Sequence, residues 1–109
     1  MTFEEYQKRS RESAIYPDQG SNIVYPTLGL AGETGEVAEK VKKAIRDEGG
    51  TMSDARRAEL EKELGDVLWY LSQLATELGL SLGRVAEGNI EKLASRKDRD
   101  QIHGSGDNR

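Results

Sequence analysis

No cysteine occurs in this chain, which excludes disulfides and thiolate metal sites and suits a reducing compartment. The one histidine, His103, lies close to the C-terminus, so histidine catalysis and histidine metal ligation are not expected. No apolar run approaches the ~20 residues that a membrane-spanning helix needs, and nothing at the start reads as a signal peptide. A cytoplasmic protein with no membrane partner is the expectation. Basic residues are never gathered into a long patch and the formal net charge is −4, which argues against a nucleic-acid polymer as partner. A Walker-type phosphate loop, a G-x-S-x-G elbow and an H-E-x-x-H pair are all absent. Hydrophobic residues make up only 35% of the 109 and aromatics 6%. One domain with a modest core follows, and small charged helical chains often complete their burial by oligomerising.

What is present is acid at a helical spacing. Glu33 and Glu36 form one i, i+3 pair, and Glu63 and Asp66 form another. On a helix each pair points to one side, about a turn apart. Two such pairs on neighbouring helices would crowd four carboxylates into one pocket, which calls for a hard divalent cation such as Mg²⁺. The bland alternative is a set of solvated charges in a chain that is 33% Asp, Glu, Lys and Arg. Within their own helices, only Lys40 for Glu36 and Lys62 for Asp66 stand at neutralising positions. Local pairing therefore leaves most of the set uncompensated.

Periodicity near 3.6 dominates and predicts an all-α, four-helix bundle-like fold. The first helix starts at a capping box, Thr2-Phe3-Glu4-Glu5, and fades near Ala14. Residues 15–26, with Pro17, Gly20, Asn22 and Pro26, read as a loop that carries Tyr16 and Tyr25. The second helix is expected from Thr27 to Glu48, with Leu30, Thr34, Val37, Val41 and Ile45 as its buried stripe. Gly29, Gly32 and Gly35 inside it suggest close approach by another backbone or by a ligand. The third helix runs from an N-cap at Ser53 to Leu78, with Leu60, Leu64, Val67, Leu71, Leu74 and Leu78 as a bundle seam. Ser81 caps a fourth helix from Leu82 to about Lys97. The helical domain is thus residues 1–97, and the polar, glycine-containing tail 98–109 has a disordered composition.

Beside the leucine seam, Glu63, Asp66 and Tyr70 share a polar stripe, which makes Tyr70 the aromatic candidate for a base or sugar. Trp69 projects away from it and reads as packing. On the fourth helix Asn89, Lys92 and Arg96 share one face, with Asn89 where a leucine would be expected. Its amide needs partners if buried, and Lys92 and Arg96 suit phosphate oxygens. Lys43 lies near the side of Glu36 and is a further phosphate candidate.

These residues are similar to a known family. The string from Gly29 to Val37 (GLAGETGEV), that from Glu63 to Leu71 (ELGDVLWYL) and the element from Asn89 to Leu93 with Arg96 resemble the MazG-like all-α nucleoside triphosphate pyrophosphohydrolases. The ending Gly104-Ser105-Gly106-Asp107-Asn108-Arg109 is similar to the C-terminus of one branch. The resemblance implies Mg²⁺-dependent cleavage of a nucleoside triphosphate to monophosphate and pyrophosphate, with Mn²⁺ as a substitute ion. It implies Glu33, Glu36, Glu63 and Asp66 as metal ligands, Glu33 or Glu36 as proton acceptor, and a homodimer or homotetramer. The family often carries a further acid where this chain has Gly32, which leaves the number of ions open. The competing expectation is a non-catalytic helical module that binds nucleotide or a partner.

Overall fold

Four helices and no strands make up the computed structural model, which describes residues 1–109: α1 (Phe3–Arg11), α2 (Val24–Glu48), α3 (Asp54–Glu77) and α4 (Leu82–Asp98). Local chemistry sets most of the ends. Thr2 Oγ1 accepts from the Glu5 amide at 3.1 Å, Ser53 Oγ from Arg56 at 3.1 Å and Ser81 Oγ from Arg84 at 3.3 Å. Gly49 and Gly79 leave α2 and α3 with left-handed φ of 65° and 70°. Helix α2 begins three residues before the expected Thr27. Pro26 falls in its first turn, where amides have no intrahelical acceptor and proline loses nothing. The Asn22 side chain accepts from the Tyr25 amide at 3.0 Å and caps this earlier start.

Helix α3 is the hub. Helices α2 and α3 form a long hairpin, while α1 and α4 pack on α3 and on each other without touching α2. The result is open: the radius of gyration is 16.8 Å, against about 13 Å for a compact domain of this length. Only 11 of 109 residues are buried, too few to form a closed apolar core. No helix is long and apolar enough to cross a membrane.

Two expected faces turn out differently. On α2 the side that meets α3 carries Pro26, Gly29, Glu33, Val37, Lys40 and Ala44, whereas Thr34, Val41 and Ile45 are exposed. On α3 the side chains of Ser72, Gln73 and Glu77 are fully buried, while Leu64 and Leu78 are more than half exposed. Periodicity locates an apolar stripe without saying what covers it, and within one chain nothing covers Leu64 and Leu78. The α1–α3 contact is polar instead. Ser10 and Ser72 hydroxyls meet at 2.9 Å, and Gln73 Nε2 donates to Ser10 Oγ at 3.0 Å. Trp69 packs edge-on against Tyr70 at 5.0 Å and donates through Nε1 to Ser13 Oγ at 3.0 Å, fastening the end of α1.

The segment between α1 and α2 is fixed by one carboxylate. Glu77, whose side chain is fully buried, accepts from Arg11 at 2.7 Å, Tyr16 at 2.8 Å and the Asn22 amide at 2.7 Å. The Gly20 amide donates to it as well, at 2.9 Å. The residues after α4 fold back as turns. Asp107 meets Lys92 at 3.2 Å and Arg96 at 3.3 Å, and Arg109 donates to the carbonyls of Gln101 and Ile102.

Candidate functional site

Glu33 of α2 and Glu63 and Asp66 of α3 offer carboxylate oxygens that all lie within 4.8 Å of one another. Glu33 is on the α3-facing stripe of α2, which places it in the hairpin seam itself. Glu63 is mostly covered, with 17% of its side chain exposed, while Asp66 opens to solvent. Burial raises the Glu33 pKa, and the charge of Asp66, a hydrogen bond and charge from Glu63, and the charge of Glu36 add to it. Glu36 sits on the exposed side of the next turn, near enough to contribute to that repulsion. On α1, burial and the Asp66 charge raise the pKa of the Tyr6 phenol.

One charge is compensated within the chain. Lys40 Nζ reaches across from α2 to Glu63 Oε1 at 3.2 Å rather than pairing with Glu36 one turn away on its own helix. Glu33, Glu36 and Asp66 make no ion pair. An all-oxygen donor set of converging carboxylates, one of them resisting ionisation, suits a hard divalent cation. Glu33, Glu63 and Asp66 could hold it directly, with Glu36 at the rim.

An aromatic wall closes the end of the seam nearest the N-terminus of α2. The Tyr70 ring lies so close to Gly29 that a Cβ there would fall inside it. A side chain, instead of the backbone or ligand expected, thus accounts for one of the three α2 glycines. Gly32 and Gly35 face open space. Burial raises the Tyr70 pKa first, followed by Tyr25 and then the charges of Glu33 and Asp66. Tyr25 is tilted against Tyr70 at 6.4 Å and stacks on Tyr16 at 4.8 Å, so the wall connects back to the Glu77 anchor.

Lys43 lies at the opposite end of the seam, in a cleft of about 460 Å³ that it shares with Lys40, Arg56, Glu59, Lys62 and Glu63. The α4 candidates are not gathered with the acids. Asn89 is exposed rather than buried, on an apolar face beside Leu71 and Val85 that nothing else covers. Lys92 and Arg96 are joined to Asp107, whose carboxyl they hold below its usual range, Lys92 contributing first. Arg96 is buried by this contact, at 4% exposure, and its guanidinium also donates to the Asp107 carbonyl at 3.0 Å.

Sequence reasoning gave Lys40 to Glu36 instead of Glu63, and it missed Tyr25 as a neighbour of Tyr70, and Glu77. The pairing with Glu63 was findable, because Lys40 stands seven residues after Glu33 and so shares its face. Glu77 carried no local signal, since its partners lie more than 50 residues away.

The geometry has counterparts in known proteins. Residues 26–99 match the MazG nucleotide pyrophosphohydrolase domain. The "Gene 37 protein" of Mycobacterium phage L5 is 49% identical over 109 residues, covering 95% of this chain and 96% of that protein. No solved structure matches. The matched residues take in the acidic cluster, Tyr70 and the α4 cations, and the chain belongs to the MazG nucleotide pyrophosphohydrolase domain family.

Proposed function

We propose that this protein hydrolyses a nucleoside or deoxynucleoside triphosphate to the monophosphate and pyrophosphate, with Mg²⁺ as cofactor and Mn²⁺ as a substitute. The convergence of Glu33, Glu63 and Asp66 within 4.8 Å at a helix seam is the observation that carries this reading. Membership of the family supplies the reaction class. Glu33, Glu36, Glu63 and Asp66 are the proposed metal ligands. Bound there, Mg²⁺ would neutralise phosphate charge and lower the pKa of a coordinated water.

The chain's own groups do the remaining work. Glu33 and Glu36 are the two candidates to accept the proton from the attacking water. Glu36, outside the three-way convergence and unpaired, has oxygens free for it. Tyr70, standing beside the acids, presents a ring to base or sugar. Lys43, Lys92 and Arg96 are the proposed phosphate contacts, with Asn89 as a neutral donor on the same face of α4. Lys92 and Arg96 act only once Asp107 yields them. Because α4 does not touch α2, a homodimer or homotetramer is the natural setting for these groups. The exposed Leu28, Ile45, Leu64 and Leu78 support such an assembly. The cytoplasm, where nucleotide pools lie, is the compartment this reading requires.

Pyrophosphate release from a panel of ordinary and modified nucleoside triphosphates, with and without Mg²⁺, tests the proposal. Mg²⁺-dependent turnover that falls by orders of magnitude in Glu36→Gln and Glu63→Gln, with helicity retained, is expected. Nucleotide binding without turnover would instead establish a non-catalytic module.

A further inference from the structure

Three kinds of side chain succeed one another along the α2–α3 hairpin. Tyr70 and Gly29 stand at one end and Glu33, Glu63 and Asp66 in the middle. The cleft of Lys40, Lys43, Lys62 and Arg56 stands at the other. Tyr70 is four residues past Asp66, about 6 Å along α3, and Arg56 is seven before Glu63, about 10 Å the other way. Glu63 belongs to both the acidic cluster and the cleft wall.

The cleft is lined by four cations and two carboxylates, and its cations are incompletely matched. Lys62 makes no ion pair, and Lys43 meets Glu39 only at 3.8 Å. Arg56 is held by Glu59 at 3.0 Å and Glu48 at 3.4 Å, yet its buried Nε has no acceptor. On α4, by contrast, Lys92 and Arg96 are already satisfied by Asp107. Within one chain, the uncommitted positive charge closest to the acidic cluster is therefore in this cleft.

We propose that the cleft binds the pyrophosphate end of the triphosphate, and that Lys40 leaves Glu63 for those phosphates when the metal ion arrives. This rests on the function proposed above and gives the substrate a direction, base towards Tyr70 and terminal phosphates towards Lys43 and Lys62. In the metal-free protein the Lys40 ammonium stands in for part of the missing charge at Glu63. A cation entering the cluster takes over that task and frees the ammonium, so metal and phosphate binding reinforce each other.

Calorimetric titration of the full-length protein separates the parts. Mn²⁺ alone should bind Lys40→Met roughly two- to fivefold more tightly than wild type, the range expected for removing a partly exposed competing ion pair. Weaker Mn²⁺ binding would show that Lys40 merely positions Glu63, and would overturn its release. Inorganic pyrophosphate added to the Mn²⁺-loaded protein should bind Lys43→Met and Lys62→Met about tenfold or more weakly, with Mn²⁺ affinity unchanged. Both side chains are surface-accessible, so these variants should fold. Unchanged pyrophosphate affinity in them, alongside Mg²⁺-dependent turnover by wild type, would remove the cleft assignment and leave the proposed function standing. Absence of Mn²⁺ binding or turnover in wild type would instead remove the reading on which the cleft depends.

Discussion

Replacing Glu77 by glutamine keeps the shape of the side chain and removes the charge that fastens the segment between α1 and α2. Burial by itself would raise this carboxyl. The amides of Asn22 and Gly20 and the side chains of Tyr16 and Arg11 reverse that and bring it from 4.5 down to about 2. A depression of that size is worth about 3 kcal/mol at neutral pH, a sizeable part of the ~5–15 kcal/mol that holds a typical domain together. The folded protein favours the ionised form. Its stabilisation is therefore complete above pH 4.5 and is lost as pH falls towards 2. Urea unfolding at fixed protein concentration, at pH 7, 4.5, 3 and 2, measures this. Glu77→Gln should lose about 3 kcal/mol at pH 7, and its curve should approach that of wild type by pH 2. The Tyr16–Tyr25 stack should loosen with it, changing the near-ultraviolet circular dichroism. An unchanged stability at pH 7, or a deficit equal at pH 7 and pH 2, would refute the assignment of Glu77 as the anchor.

Two further outcomes follow from the seam. Gly29→Ala forces a methyl into the Tyr70 ring and should destabilise the fold by about 1–3 kcal/mol. Gly35→Ala, which meets open space, should stabilise it by up to ~1 kcal/mol in the isolated chain. Equal thermal stabilities for the two variants would contradict the close approach. Glu33→Gln relieves crowding among carboxylates and should raise the stability of the metal-free protein. It should also abolish the stabilisation by Mg²⁺, about 2.7 kcal/mol in wild type at a hundred times the dissociation constant. Thermal scans with and without Mg²⁺ read both effects.

Helix number, helix type and most helix ends were legible because they are written in neighbouring residues, such as Thr2, Ser53, Ser81, Gly49 and Gly79. The early start of α2 was not, since Pro26 reads as a breaker until it is placed in a first turn. Heptad spacing on α3 found the leucines but gave them a partner that a single chain lacks, and it passed over Gln73, which lies buried in a polar contact. Asn89 was expected inside for the same reason and is exposed. At the site, i, i+3 spacing picked out Glu33, Glu63 and Asp66, which converge at the seam, but it also grouped Glu36 with them, and Glu36 lies on the exposed side of the next turn. The pairing of Lys40 with Glu63 crosses between helices, so rules confined to one helix missed it. The tail had the composition of disorder, yet Asp107 finds two cations on α4. Composition alone does not show a carboxylate already seated on Lys92 and Arg96.

The most direct test of the central claim is anomalous diffraction from crystals of the protein grown with Mn²⁺ and a non-hydrolysable nucleoside triphosphate. A peak ligated by oxygens of Glu33, Glu63 and Asp66, with the phosphates running from it towards Lys43, is predicted. Manganese bound elsewhere, or these three carboxylates left without an ion while nucleotide is present, would contradict the account.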